Sequence, residues 1–226
     1  MSKNMENKGH KYPAIFSLYT GILLIVSYGL AKDKATYLLE VLPVLLMFPV
    51  LFFTYHRFRL TRLVYILLGI HFLVLSVGGI YTYAEVPLGY WMEDWFGFTR
   101  NNYDKIGHFA QGFIPAMLTR EVLLRTSPLR PGKWLAFIVV SICLAISAFY
   151  EIFEWWVSAV KGESAEAFLG TQGYEWDTQS DMFFCLVGAI VALVTLSRWH
   201  DRILDKSDSN RDTPSNYAEK SKKRLG

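Results

Sequence analysis

Apolar residues in this chain neither alternate nor recur at a helical period; they come in long uninterrupted blocks. Six blocks, at 12–31, 38–55, 60–83, 103–124, 134–160 and 181–199, approach the ~20 residues that a helix needs to cross a bilayer. The pattern predicts an all-α integral membrane protein, a six-helix transmembrane bundle. The fourth block is the least apolar, because it opens with Asp104, Lys105, His108 and Gln111. A helix is still expected there, since a segment in lipid must satisfy its backbone polar groups internally. Pro43 and Pro49 are expected to kink the second span, and Gly78-Gly79 to permit close packing of the third.

Charge then sets the orientation. The N-terminus, the second-to-third link (Arg57, Arg59, Arg62), the fourth-to-fifth link (Arg120, Arg125, Arg130, Lys133) and the segment after the last span hold 18 of the 23 Lys and Arg. The opposite side holds five: Lys32, Lys34, Arg100, Lys105 and Lys161. Both termini are therefore expected in the cytoplasm. Two units follow, a six-span domain over 1–202 and a polar, disordered cytoplasmic tail over 203–226. The outer links 84–102 and 160–180 hold Trp91, Trp95, Phe96, Phe98, Gly162, Gly170, Gly173 and Trp176 among acids, which suits caps at the headgroups.

Composition agrees with a membrane class. Of 226 residues, 52% are hydrophobic and 19% charged, against about 25% charged in soluble domains. The net charge of +3 comes from residues sorted by membrane side, with no basic stripe of the kind that nucleic-acid binding needs. The expected partner is the lipid bilayer, and no nucleic acid. The first block resembles a signal peptide in its Lys-bearing start, but Tyr28-Gly29-Leu30-Ala31-Lys32 offers no small-x-small cleavage site. Cys143 is placed near mid-membrane and Cys185 about one turn inside the outer face, poorly matched for a disulfide. No internal repeat of the inverted-repeat transporter kind is visible.

Candidate chemistry lies with ionisable residues at the outer edge, where charged groups are expensive and tend to face a cavity or each other. Asp104, His108 and Gln111 share one face of the fourth span. Asp104 alone is equally explained as a first-turn acid behind an Asn101 N-cap. Glu151 and Glu154 share a face at i, i+3 near the outer end of the fifth span. Asp177 and Asp181 precede the sixth, where Thr178-x-x-Asp181 also fits a capping box. The alternation of spans brings all three clusters to one depth. Five carboxylates and an imidazole there must be protonated, paired or cation-bound. Asp104, His108, Glu151, Glu154, Asp177 and Asp181 form a candidate set for Mg2+, Mn2+, Ca2+ or Zn2+, while Lys105 and Arg100 are alternative counter-charges. His71 is read as a helix–helix hydrogen-bonding group, and Glu40 as facing either the site or headgroups. Walker, nucleophile-elbow, HExxH and CxxC signatures are absent.

Through Asn102-Tyr103-Asp104-Lys105-Ile106-Gly107-His108-Phe109, Tyr150-Glu151-Ile152-Phe153-Glu154-Trp155-Trp156 and Trp176-Asp177-Thr178-Gln179-Ser180-Asp181-Met182, the chain resembles the YjdF-like bacterial inner-membrane proteins. The Asp-Lys-x-x-His-Phe motif is more distantly similar to VanZ-like proteins, which are linked with glycopeptide resistance. The first resemblance implies a multi-pass protein of the bacterial inner membrane and no particular activity.

Three functions fit these features. The first is an envelope-facing enzyme or binding protein for a lipid or lipid-linked substrate, with His108 or Glu151 as proton acceptor and a divalent metal as possible cofactor. The second is a cation or proton transporter, disfavoured because His71 is the only ionisable group expected deeper in the spans. The third is a structural or accessory membrane protein without catalysis, in which the cluster is a polar staple.

Overall fold

A computed structural model describes residues 2–161 and 171–211, with side chains placed for 11–160 and 171–206. Among the described residues it contains eight α-helices and no strand. These are α1 (Ser2–Leu30), α2 (Lys34–Glu40), α3 (Leu42–Thr54), α4 (Arg62–Tyr81), α5 (Pro87–Phe96), α6 (Tyr103–Thr126), α7 (Lys133–Lys161) and α8 (Asp177–Arg211). Four of them, α1, α4, α7 and α8, are long and apolar enough to cross a membrane. Together α2 and α3 make a fifth candidate, bent by 55°.

The fourth expected span, α6, is not among these apolar candidates. It carries Asp104 and Lys105 at one end and Arg120, Glu121 and Arg125 at the other. Its apolar content is too low for lipid alone, and it packs instead against α4, α7 and α8. The bend between α2 and α3 falls at Val41, just ahead of Pro43. Proline has no N–H to give the carbonyl four residues back, so the Leu39 carbonyl lacks its i+4 donor. Tyr150 Oη of α7 reaches that oxygen at 3.4 Å. Pro49, also expected to kink the span, stays inside α3.

Short caps tie the outer ends together. Asp33 accepts from Thr36 N at 2.8 Å to start α2, and Lys34 Nζ donates to the carbonyls of Tyr28, Gly29 and Ala31 at the end of α1. Lys32 pairs with Glu85 at 2.6 Å in the open, and that bond raises the Lys32 pKa. In the first outer link, α5 leaves Trp91, Trp95 and Phe96 exposed, as an interfacial helix would. Gly97, at φ 69°, ends it in the left-handed region. The second outer link is described only from 171 onward; Gly162 and Gly170 lie outside the described residues.

The most extensive helix contact joins α6 and α8. A Cβ on Gly112 would overlap the Cys185 carbonyl oxygen, and one on Gly188 the Phe109 carbonyl oxygen. The two backbones touch because neither position has a side chain. Gly78 of α4 and Gly107 of α6 similarly admit the buried Tyr83 ring between them. The depth expected for the cysteines is corrected here. Cys143 and Cys185 are free and buried side by side, and Cys185 Sγ donates to the Cys143 carbonyl at 3.5 Å. They meet because α7 continues past the level at which α8 begins. At the other end, α8 runs beyond the expected boundary at 202 as far as Arg211; 212–226 lie outside the described residues.

Gly112→Ala and Gly188→Ala should each lower the thermal midpoint of the detergent-solubilised protein, at a cost of at least about 1–3 kcal/mol from overpacking. Gly21→Ala, where nothing stands within 4 Å of the added Cβ, should leave the midpoint unchanged or raise it slightly. Heating followed by size-exclusion chromatography reads the difference.

Candidate functional site

The N-terminal ends of α6 and α8 are joined by two cations and three aspartates. Lys105 Nζ lies 3.1 Å from Asp104, 2.8 Å from Asp177 and 2.8 Å from Asp181. Arg100 Nη2 lies 2.8 Å from Asp104 and 2.7 Å from Asp177, while its Nη1 donates to the Thr171 carbonyl at 2.7 Å. Asp104, Lys105, Asp177 and Asp181 are all buried. Pairing by Lys105 and Arg100, one of the two alternatives the sequence left open, therefore accounts for these three acids.

Beside this network sits a different group. His108 Nε2 lies 3.7 Å from Asp181 Oδ1 and 3.8 Å from Glu151 Oε1. Both distances exceed a hydrogen bond. They approach the spacing of two ligand atoms each about 2.1 Å from a shared metal. Glu151 Oε1 and His108 Nδ1 are buried and make no hydrogen bond. Ligand atoms of His108, Glu151 and Asp181 all fall within 4.8 Å of one another, as do those of Asp104, Asp177 and Asp181. The second trio is consumed by its cations; in the first, only Asp181 is shared with Lys105.

Of the six expected ligands the structure thus gathers five, in two overlapping trios. Glu154 belongs to neither trio. It lines a cavity of about 160 Å³ that opens beneath His108, together with Glu40, Asp104 and Asp181 at its polar end. The cavity follows α6 from Asp104 to Thr119, about 22 Å at a rise of roughly 1.5 Å per residue, and its lower walls include Met47, Leu75, Leu118 and Ile146. Glu40, 3% exposed, faces this cavity and not headgroups. His71 does too, and its Nδ1 makes no hydrogen bond, which corrects its assignment as a helix–helix bonding group.

Two capping expectations also change. The residue before α6 is Asn102, with no side-chain cap bond, although Asn101 Oδ1 accepts from Tyr103 N at 3.1 Å. Thr178 lies inside α8, which starts at Asp177, so Thr178-x-x-Asp181 is no capping box, and Asp181 is spent on Lys105.

A second buried network, at the opposite ends of α6 and α8, was not legible. Glu121 is fully buried and accepts from Thr61 N at 2.8 Å, Thr61 Oγ at 2.6 Å and Arg125 Nη1 at 2.7 Å. His200 Nε2 stands 3.1 Å from its other oxygen. Arg120 reaches His200 Nδ1 at 3.0 Å and Asp201 at 2.6 Å. A guanidinium only donates, so Nδ1 accepts and Nε2 carries the proton toward Glu121. The charge count had assigned Arg120 and Arg125 to a loop, which hid them. The available signal was Glu121 with Arg125 at i, i+4 on a helix that had not yet ended.

The comparisons are consistent with this architecture. Residues 12–202 match a family described as a predicted membrane protein, DUF2238. The chain is 48% identical to the inner membrane protein YjdF of Escherichia coli (strain K12) over 189 residues, covering 83% of this chain and 90% of that protein. No solved structure matches.

Lys105→Met should destabilise strongly, by about 3–5 kcal/mol, because it strands buried carboxylates. Lys32→Met, at a half-exposed pair, should cost under about 1 kcal/mol. Thermal midpoints of the two variants in one detergent check the contrast.

Proposed function

We propose a function on the premise that the chain belongs to the DUF2238 family of predicted membrane proteins: it is a multi-pass inner-membrane protein that binds or acts on a lipid or lipid-linked molecule of the envelope at an outer-leaflet site. The observation that carries this reading is His108 at the head of an elongated amphipathic cavity, with Glu151 Oε1 3.8 Å from its Nε2; His108 Nδ1 and Glu151 Oε1 are buried and make no hydrogen bond. The location follows that of the similar inner membrane protein YjdF. Counting α6 and the bent α2–α3 pair as crossings gives six, with both termini in the cytoplasm and 1–202 as the membrane domain.

Within that site His108 is the proton acceptor and Glu151 its orienting acid, with the roles exchangeable as substrate enters. The same atoms suit a divalent cation. One imidazole nitrogen and two carboxylate oxygens within 4.8 Å match three protein ligands with an open position, and such an ion supplies a polarised oxygen or a water of lowered pKa. Lys105 on Asp181 opposes it, so occupancy draws on the second Asp181 oxygen. The chain's own residues hold the substrate's head against His108 and keep bulk water out.

A second reading, proton or cation movement, is favoured by one observation. The cavity ends at Thr119, next in sequence to Arg120 and the buried Glu121–His200 pair. Ionisable groups therefore continue inward beyond His71, against the reason for setting a transporter aside.

Elemental analysis of protein purified with added divalent cations and no chelator is the direct test. A near-stoichiometric divalent metal, lost in His108→Ala and Glu151→Gln but kept in Glu154→Gln, supports the metal form. No metal in the wild type refutes it and leaves the acid–base pair. Single-cysteine labelling in cells, in a Cys143→Ser/Cys185→Ser background, tests orientation; positions 10 and 130 should react only after permeabilisation, and position 94 before it.

A further inference from the structure

The ligand's chemistry can be read from what the cavity lacks. Its polar end presents carboxyls and imidazoles, and no Lys or Arg lines it. Lys105 and Arg100, the nearest cations, are fully engaged by Asp104, Asp177 and Asp181. Two polar side chains that line the cavity, each 3% exposed, keep atoms without partners: Glu40 Oε1 and His71 Nδ1. A buried acceptor left unmade costs about 1–3 kcal/mol, and more for a charged group, so a ligand that donates to Glu40 recovers that cost. An anionic head, such as a phosphate, would meet the carboxyls of Glu40, Asp104, Glu154 and Asp181 with no lysine or arginine in the lining to offset them.

The route of entry is visible as well. Ile146 of α7 lines the cavity yet is 46% exposed, so on the α7 side a single side chain separates the cavity from the outer surface of the bundle. The Tyr150–Leu39 bond lies one turn further out. A ligand arriving through that side comes from the bilayer. The volume of about 160 Å³ is close to the roughly 150 Å³ cavity that accommodates benzene in another protein, so the enclosed segment is thin, about six heavy atoms.

We infer that this cavity takes the positively charged, hydrogen-bond-donating head of an amphiphile, an alkylammonium, with its nitrogen at Glu40 and its first carbons against Met47, Leu75 and Ile146. The inference names the ligand class of the outer-leaflet site and rests on that reading of it. It excludes phosphate-headed and carboxylate-headed lipids from the buried position.

Hexylammonium is the probe, titrated into the full-length detergent-solubilised protein at constant ionic strength, with 1-hexanol and hexanoate as comparators. Ligand binding to the folded state raises the thermal midpoint with concentration. Hexylammonium should give a saturable rise, and neither comparator should. Glu40→Gln should weaken its apparent Kd at least tenfold, and Met47→Trp, which fills the apolar wall, should abolish saturation. An equal rise with hexanol would reduce the cavity to an apolar void, and a rise with hexanoate would reverse the head-group charge; either overturns the inference, as does an unchanged Kd in Met47→Trp. If Glu40→Gln does not fold, the comparators and Met47→Trp decide. The titration uses metal-free protein, so failure of the metal form of the site leaves this result standing, and the converse holds.

Discussion

Both buried ionic networks in this molecule depend on how closely α6 approaches α8. Gly112 and Gly188 let each backbone meet the other's carbonyls, and that contact fixes the helix spacing along its length. At one end the spacing lets a single ammonium, Lys105, reach Asp177 and Asp181 at 2.8 Å each. At the other it sets His200 3.1 Å from Glu121. Association in lipid gains little from the hydrophobic effect and relies on packing and interhelical hydrogen bonds. A methyl group at either glycine would push the helices apart and loosen both networks at once, because each is built from contacts near 3 Å that tolerate no such shift.

The two networks nevertheless differ in kind. Glu121 has Thr61 N, Thr61 Oγ, Arg125 and His200 around it, which fills the roughly four acceptor positions of a carboxylate. A saturated carboxylate has no lone pair to spare for a substrate proton or an ion, so the inner network is a clamp. At the N-terminal ends of α6 and α8 two cations serve three aspartates, and Glu40 and Glu151 retain unpartnered oxygens. Buried acids without partners are costly. Their cost is offset by the clamp and by the glycine contact, which is the arrangement expected where a site is held open for a ligand.

Which of these features the sequence made legible follows from periodicity and alternation. Blocks of apolar residues located the α2–α3 pair, α4, α6 and α7 to within a few positions, while α1 starts well before its block, α8 runs well past its own and α5 has none; the alternation of α6, α7 and α8 brought Asp104, His108, Glu151 and Asp181 to one level, as the structure has them. What could not be read was relative height. The offset of α7 past α8, which sets Cys143 beside Cys185, comes from packing and has no local sequence signal. Glu121, Arg120 and His200 were missed for a related reason, because charge at a helix end reads as loop charge until the helix is known to continue. The unsaturated state of His71 and Glu40 was illegible as well, since a composition argument counts polar atoms and cannot count their partners.

The placement of the open valences decides from which side the site is reached. On the aqueous side, Tyr174 lies over Arg100 at 4.8 Å and Lys105 at 5.8 Å, and Gln172 bonds both the N–H and the carbonyl of Asn101 at 3.0 and 2.8 Å. The segment from 171 to 176 thus covers the aspartate network and leaves its members buried. On the lipid side the cover is thinner. The break at Val41 bends α3 from α2 by 55°, and a hydrogen bond from there to α7 is the Tyr150–Leu39 contact that Pro43 makes available. A molecule that reaches His108 and Glu151 from within the bilayer, as proposed, would pass this break beside Pro43. Under that proposal a site acid-lined at one end and apolar below would select amphiphiles by where their charge sits. That geometry, more than any single residue type, makes lipid chemistry a stronger reading for this chain than a polar staple.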